Sequence, residues 1–205
     1  MRIRRGGVSV LVLCAAIATT AAAQKSTNFG VLAGGSFAKF RGDDVGNFDH
    51  TKVGIAAGVF VTAGLTPQFA VEPELLYVMK GGKNDVDDQE IKVSYIAIPV
   101  LLKLRIPAKG NGSQFSPNVY AGPQAGIKAG CSVKSTATSD CGTFGATFKS
   151  TDFSVVFGAG VDIGRAVITA RYDMSLGSFD SQPPTDNVKN SAFYLLAGWT
   201  FRSPR

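Results

Sequence analysis

The sequence predicts an all-β protein, an eight-stranded antiparallel up-and-down barrel that crosses a membrane with its strands. Three observations carry this reading. Apolar and polar residues alternate with period two in eight runs, and no long segment has convincing helical periodicity. The polar faces of those runs are rich in glycine and short of Lys and Glu, unlike a surface that meets water. The connections alternate between short turns and long polar loops, a habit of membrane barrels.

The chain opens "MRIRRGGVSVLVLCAAIATTAAAQ". Arg2, Arg4 and Arg5 precede an apolar run too short to span a bilayer, and Ala21-Ala22-Ala23 supplies small residues for cleavage. Residues 1–23 therefore read as a secretory signal peptide, and residues 24–205 as one barrel domain. Cys14 lies inside the apolar run behind a bulky Leu13, which argues against lipidation there. Half of the formal charge of +6 belongs to the three arginines of the peptide. What remains is no nucleic-acid footprint.

The eight runs lie near 28–40, 51–64, 68–82, 90–106, 116–130, 151–163, 165–177 and 191–202. "GLTPQF" and "DIGR" are short connections and "PAKGNGSQFSP" is of medium length. "RGDDVGNFDHT", "GGKNDVDDQE", the cysteine loop and "GSFDSQPPTDNVKN" are long and polar. In the first run Phe29, Val31, Ala33 and Phe37 share one face, opposite Asn28, Gly30, Gly34 and Ser36. The same division recurs in later runs. Runs of about 9–13 residues suffice to cross a bilayer at a tilt. The apolar faces then meet lipid, with Phe29, Phe37, Phe69, Tyr77, Phe153, Phe157, Tyr172, Phe193, Trp199 and Phe201 as the outward aromatics. A soluble eight-stranded binder would turn the same faces inward. It would also be expected to open on a tryptophan signature, but the one tryptophan is Trp199.

In the third run, "FAVEPELLYVMKGG", Glu72 and Glu74 take the inward phase. Lys103 and Arg105 share that phase in the next run, and Lys128, Arg171 and Asp173 are further inward candidates. Buried charges must be paired. The expected network joins Glu72 and Glu74 to Lys103, Arg105 and Arg171, as a plug or, in the sharper reading, a gate or proton path. Pro73, Pro99 and Pro123 fall inside successive runs, where each forfeits a ladder hydrogen bond, so a belt of bulges or kinks at one height is expected. Cys131 and Cys141 flank a Ser/Thr-rich loop and read as a disulfide of an exported chain.

"VEPELLYVMKGG", "VSYIAIPVLLKL" and "VYAGPQAGIKAG", in that order, resemble the motifs of the outer-membrane β-barrel domain family, the PorT-like or "porin family" barrels. The resemblance runs from about Phe29 to Phe201. It departs from the family at Ala97, where an acidic residue is common, and at the four residues that follow Phe201. It implies an eight-stranded barrel in a Gram-negative-type cell outer membrane, with outer-membrane lipid and the barrel-assembly machinery as partners. The expected role is non-enzymatic, structural or exercised through the loops. A small passive pore is the alternative. No cofactor, metal or nucleic acid is expected, and a ligand for the long loops stays open. An enzyme reading would rest on the carboxylate pair Glu72 and Glu74, in an interior with no room for substrate, or on His50, near Asp43, Asp44 and Asp49. The leader makes one prediction: mass spectrometry of the exported chain finds its N-terminus at Gln24, and a retained Met1 would refute the reading of residues 1–23.

Overall fold

The computed structural model describes residues 27–41, 50–84, 89–107, 115–134, 138–141, 150–177 and 189–202. Residues 1–23, expected to be a leader, lie outside the described residues. Eight strands form the wall: β1 (Thr27–Arg41), β2 (Lys52–Gly64), β3 (Phe69–Asn84), β4 (Gln89–Arg105), β5 (Phe115–Lys134), β7 (Thr151–Ile163), β8 (Ala166–Ser175) and β9 (Lys189–Arg202). β6 (Thr138–Asp140) is a short ninth strand that the alternation did not reveal. It folds back on the end of β5.

Each wall strand pairs antiparallel with its chain neighbour, β1 pairs with β9, and the β4–β5 pairing completes the ring. A closed ring leaves no open edge, which a bilayer requires because lipid offers no hydrogen bonds. At one end lie the turns at Leu65–Gln68 and Gly164–Arg165 together with the ends of β1 and β9. Gly164 takes the positive φ of the tightest turn.

Odd-numbered residues of β1 and β2 face outward. Phe29 is 50% exposed, Ile55 54% and Phe153 63%, values no soluble core would show. All the outward aromatics named above are exposed or half-buried on that face. Two aromatic rows bound the apolar band. Phe29 stacks on Phe201, and Phe37 meets Phe193. At roughly 3.4 Å per residue the rows stand about 27 Å apart along the strand, or about 20 Å along the normal once tilted by about 40°.

The bore is not uniformly polar. Leu32, Phe60, Leu76, Val78 and Leu196 form an apolar cluster inside it, mostly on the side of β1, β2, β3 and β9. Inward glycines make room for these side chains. A Cβ on Gly30 would collide with the Phe60 ring, and one on Gly158 would lie 2.7 Å from the Tyr120 hydroxyl. The glycine-rich inward faces are therefore the complement of large residues reaching across from neighbouring strands.

The prolines keep one height but make no bulge. Pro73 is in register with Val100, Pro99 with Gln124, and Pro123 with Val155. The ladder skips two rows beside each proline only on the side of the preceding strand, then resumes in the same register. Each ring removes one donor, and the pairs on either side hold the register. The one recorded shift in these strands lies elsewhere, at Ser94/Tyr95 opposite β5.

Cys131 and Cys141 form a disulfide with Cα atoms 5.6 Å apart, tying β6 to the upper end of β5. The bridge lies beyond the aromatic rows and crosses no wall seam. Cys131→Ser with Cys141→Ser is accordingly expected to leave the barrel folded, with heat-modifiable migration on gels unchanged. Loss of that migration would place the bridge among the determinants of closure.

Candidate functional site

Inward-facing ionisable side chains gather in three levels, and β3 contributes to each. Alternation places Glu72, Glu74 and Lys80 on the inner face of that strand. At the lowest level Glu72 accepts hydrogen bonds from Lys103 Nζ of β4 at 2.7 Å and from Thr62 Oγ1 of β2 at 2.5 Å. All three partners are buried and sit on adjacent strands.

The middle level crosses the barrel. β3 and β8 are four places apart in either direction around the ring, so they face each other across its diameter. Arg171 of β8 donates from Nη1 to Glu74 Oε2 at 2.6 Å and from Nη2 to Oε1 at 3.1 Å. This two-pronged pairing suits the planar guanidinium. Arg171 also lies 5.4 Å from the Tyr120 ring centroid, and the Tyr120 hydroxyl meets that of Thr169.

The upper level also crosses. Lys80 Nζ lies 2.7 Å from Asp173 Oδ2 of β8 and 3.1 Å from Asp152 Oδ2 of β7. Asp173 Oδ2 accepts further hydrogen bonds from Gln124 Nε2 at 2.7 Å and from the Tyr194 hydroxyl at 3.3 Å. Ser175 donates to Asp152 at 2.9 Å, and the Lys80 ammonium sits 5.5 Å from the Tyr95 ring centroid. Above this level Lys52 pairs with Glu90.

The structure thus brings Glu72 to Lys103 and Glu74 to Arg171. Arg105 joins neither glutamate. It lies in register with Asn118 and lines a cavity of about 100 Å³ at the short-turn end with Lys103, Asp162 and Arg165. One inward step along β4 carries it past the level of Glu72. Lys128 is half-buried beside the irregularity of β5, in register with Tyr95. Asp173 belongs to the upper level, with Lys80. Lys80, Asp152, Gln124 and Tyr194 were missing from the sequence-based network, although Lys80 shares the phase of Glu72 and Glu74. Phase shows direction; height and partner depend on register around the whole ring.

Several buried polar atoms have no hydrogen-bond partner: Arg171 Nε, Asp173 Oδ1, Asp162 Oδ1 and both amide atoms of Asn190. Groups of this kind call for water. His50 is exposed and accepts a backbone hydrogen bond from Lys83 N at 3.3 Å. Asp43, Asp44 and Asp49 lie outside the described residues. Glu72, Glu74, Asp152 and Asp173 are engaged in ion pairs, whereas Asp162 lines the cavity, which is small beside the roughly 300–1,000 Å³ typical of a small-molecule site.

A model of the outer membrane protein beta-barrel domain family matches residues 22–181. Among solved structures the chain is similar to Neisserial surface protein A, at 15% identity and a TM-score of 0.52, over 84% of this chain and 97% of that one. It is also similar to Ail, the attachment invasion locus protein of Yersinia pestis, at 17% identity and a TM-score of 0.48, over 86% and 99%. For OprG from Pseudomonas aeruginosa the identity is 14% and the TM-score 0.46, over 88% and 98%. Among curated proteins none matches.

The transverse pair is open to a double-mutant test. Arg171→Leu leaves the Glu74 carboxylate buried without its cation and is expected to cost about 3–5 kcal/mol. Adding Glu74→Leu should restore most of that loss. Urea unfolding of the refolded protein in detergent reads both, and equal destabilisation by the single and double variants would refute the pairing.

Proposed function

The chain belongs to the outer membrane protein β-barrel domain family and resides in the cell outer membrane, and from that premise we propose that it works there without catalysis, as a closed barrel whose role is structural or exercised through its long loops. The observation that carries this reading is the bore itself. Glu74–Arg171 and Lys80–Asp173 each join opposite walls, and the apolar cluster fills much of the remaining section. Buried pairs of this geometry resist separation, because breaking one leaves an unpaired charge. Eight strands also enclose a section that side chains alone can fill.

A non-catalytic role is supported by the same packing. Glu72 and Glu74, the carboxylates that could act as acid and base, are held by cations, and the cavity beside Lys103 and Asp162 holds only about 100 Å³. The competing reading is a small passive pore. It is favoured by the unpartnered Asp173 Oδ1 and Asn190 amide, which mark places for water within the bore.

Planar-bilayer recording of the pure refolded protein separates the two. Silence, or rare brief events, is expected. Steady unitary openings would establish the pore. Under the plug reading, the double variant Glu74→Leu with Arg171→Leu stays silent as well, because the upper level still crosses the bore.

A further inference from the structure

We infer that the outer face of the β1–β9 seam carries a binding site for the phosphoryl groups of an outer-leaflet lipid, formed by Lys39, Arg41 and Lys189. The inference rests on the outer-membrane placement and on the long loops facing outward, as they do in barrels of this type.

The register builds the site row by row. Phe37 opposes Phe193, Lys39 opposes Ser191, and Arg41 opposes Lys189. Alternation puts Phe37, Lys39 and Arg41 on the same outward face of β1, and Lys39 and Lys189 are exposed. The cations therefore begin one outward step beyond the upper aromatic row. That row continues onto β8 and β7, since Tyr172 is in register with Phe193 and its ring lies 5.5 Å from that of Phe157. Aromatic girdles settle at the boundary between hydrocarbon and headgroups. Side chains two to four residues above one, at roughly 3.4 Å per residue along a strand tilted by about 40°, stand about 5–10 Å higher, at the depth of lipid phosphates.

Two further observations point to an anion. None of the three cations has a carboxylate partner among the described residues, whereas Lys52, Lys80, Lys103 and Arg171 are all paired. Arg41 is also held in place. Its guanidinium lies 5.9 Å from the Tyr172 ring centroid, and its Nε is shielded from water with no hydrogen-bond partner. An oriented guanidinium flanked by two ammonium groups suits a phosphate monoester, which accepts a two-pronged hydrogen bond and carries more than one negative charge.

The test uses the refolded full chain in phosphatidylcholine nanodiscs doped with diphosphoryl lipid A, or with lipid A stripped of both phosphates. Native mass spectrometry counts the lipid A retained on the released protein. Diphosphoryl lipid A should be retained and the stripped form should not. Each cation near a lipid surface is worth about fivefold in affinity, so Lys39→Gln, Arg41→Gln and Lys189→Gln together should weaken retention roughly a hundredfold. Heat-modifiable migration shows whether that variant is folded, and if it is not, the three single variants should each show the fivefold loss. Arg165→Gln, at the opposite end of the barrel, should leave retention unchanged. Equal retention of stripped lipid A, full retention by the charge variants, or an equal loss with Arg165→Gln would each overturn the site. Lipid retention is independent of conductance, so this inference and the plug reading fail separately.

Discussion

The bilayer supplies no hydrogen bonds, and the rest of the molecule depends on that constraint. It compels the wall to close, since an open edge would leave a column of amides and carbonyls without partners. Closure at eight strands fixes a narrow bore. A narrow bore brings opposite walls within reach of one long side chain from each, which is how Arg171 meets Glu74 and Lys80 meets Asp173. The same closure makes the charges costly, and the cost is offset only by that reach. Even the prolines fit the constraint. Each interrupts pairing on one side only, so the ring stays continuous through the other.

Much of the wall was legible in the sequence because period-two alternation is a local property. Phe29 to Phe37 on β1 and Val53 to Val61 on β2 read correctly as outward without any knowledge of their neighbours. The family membership was legible for the same reason, since its motifs are strand segments. The bore was only partly legible. Lys103 could be placed with Glu72 because the two lie on consecutive strands and share the inward phase. Arg105 shares the phase but not the level, and alternation carries no information about level. Lys80 was overlooked as a partner of Asp173 because they sit on opposite strands, and nothing local marks one for the other. β6 is three residues long and has too little alternation to notice.

The bore also shows a division of labour that neither face of a single strand displays. Apolar residues from β1, β2, β3 and β9 pack together as an ordinary core. The hydrogen-bonding side chains of β5, β7 and β8, such as Gln124, Ser154 and Thr169, line the other side. β3 belongs to both halves, with Leu76 and Val78 set between Glu74 and Lys80. The interior is therefore an apolar cluster joined to a polar network by β3 and β4, which contribute to both. Glycine stands where large residues of the neighbouring strands must enter.

The transverse pair between Glu74 and Arg171 has a consequence for the order of events during folding. The two residues are 97 positions apart in the chain, and the strand bearing the arginine is the second to last of the wall. A sheet that grew into the membrane from its first strands would carry Glu74 and Lys80 with no cation or anion opposite them. Contacts of such long range form late, because the intervening chain must be ordered first. The carboxylate must therefore stay hydrated until β8 arrives. Insertion and closure are then coupled steps, and the water that accompanies the nascent barrel leaves as its last strands seal the wall.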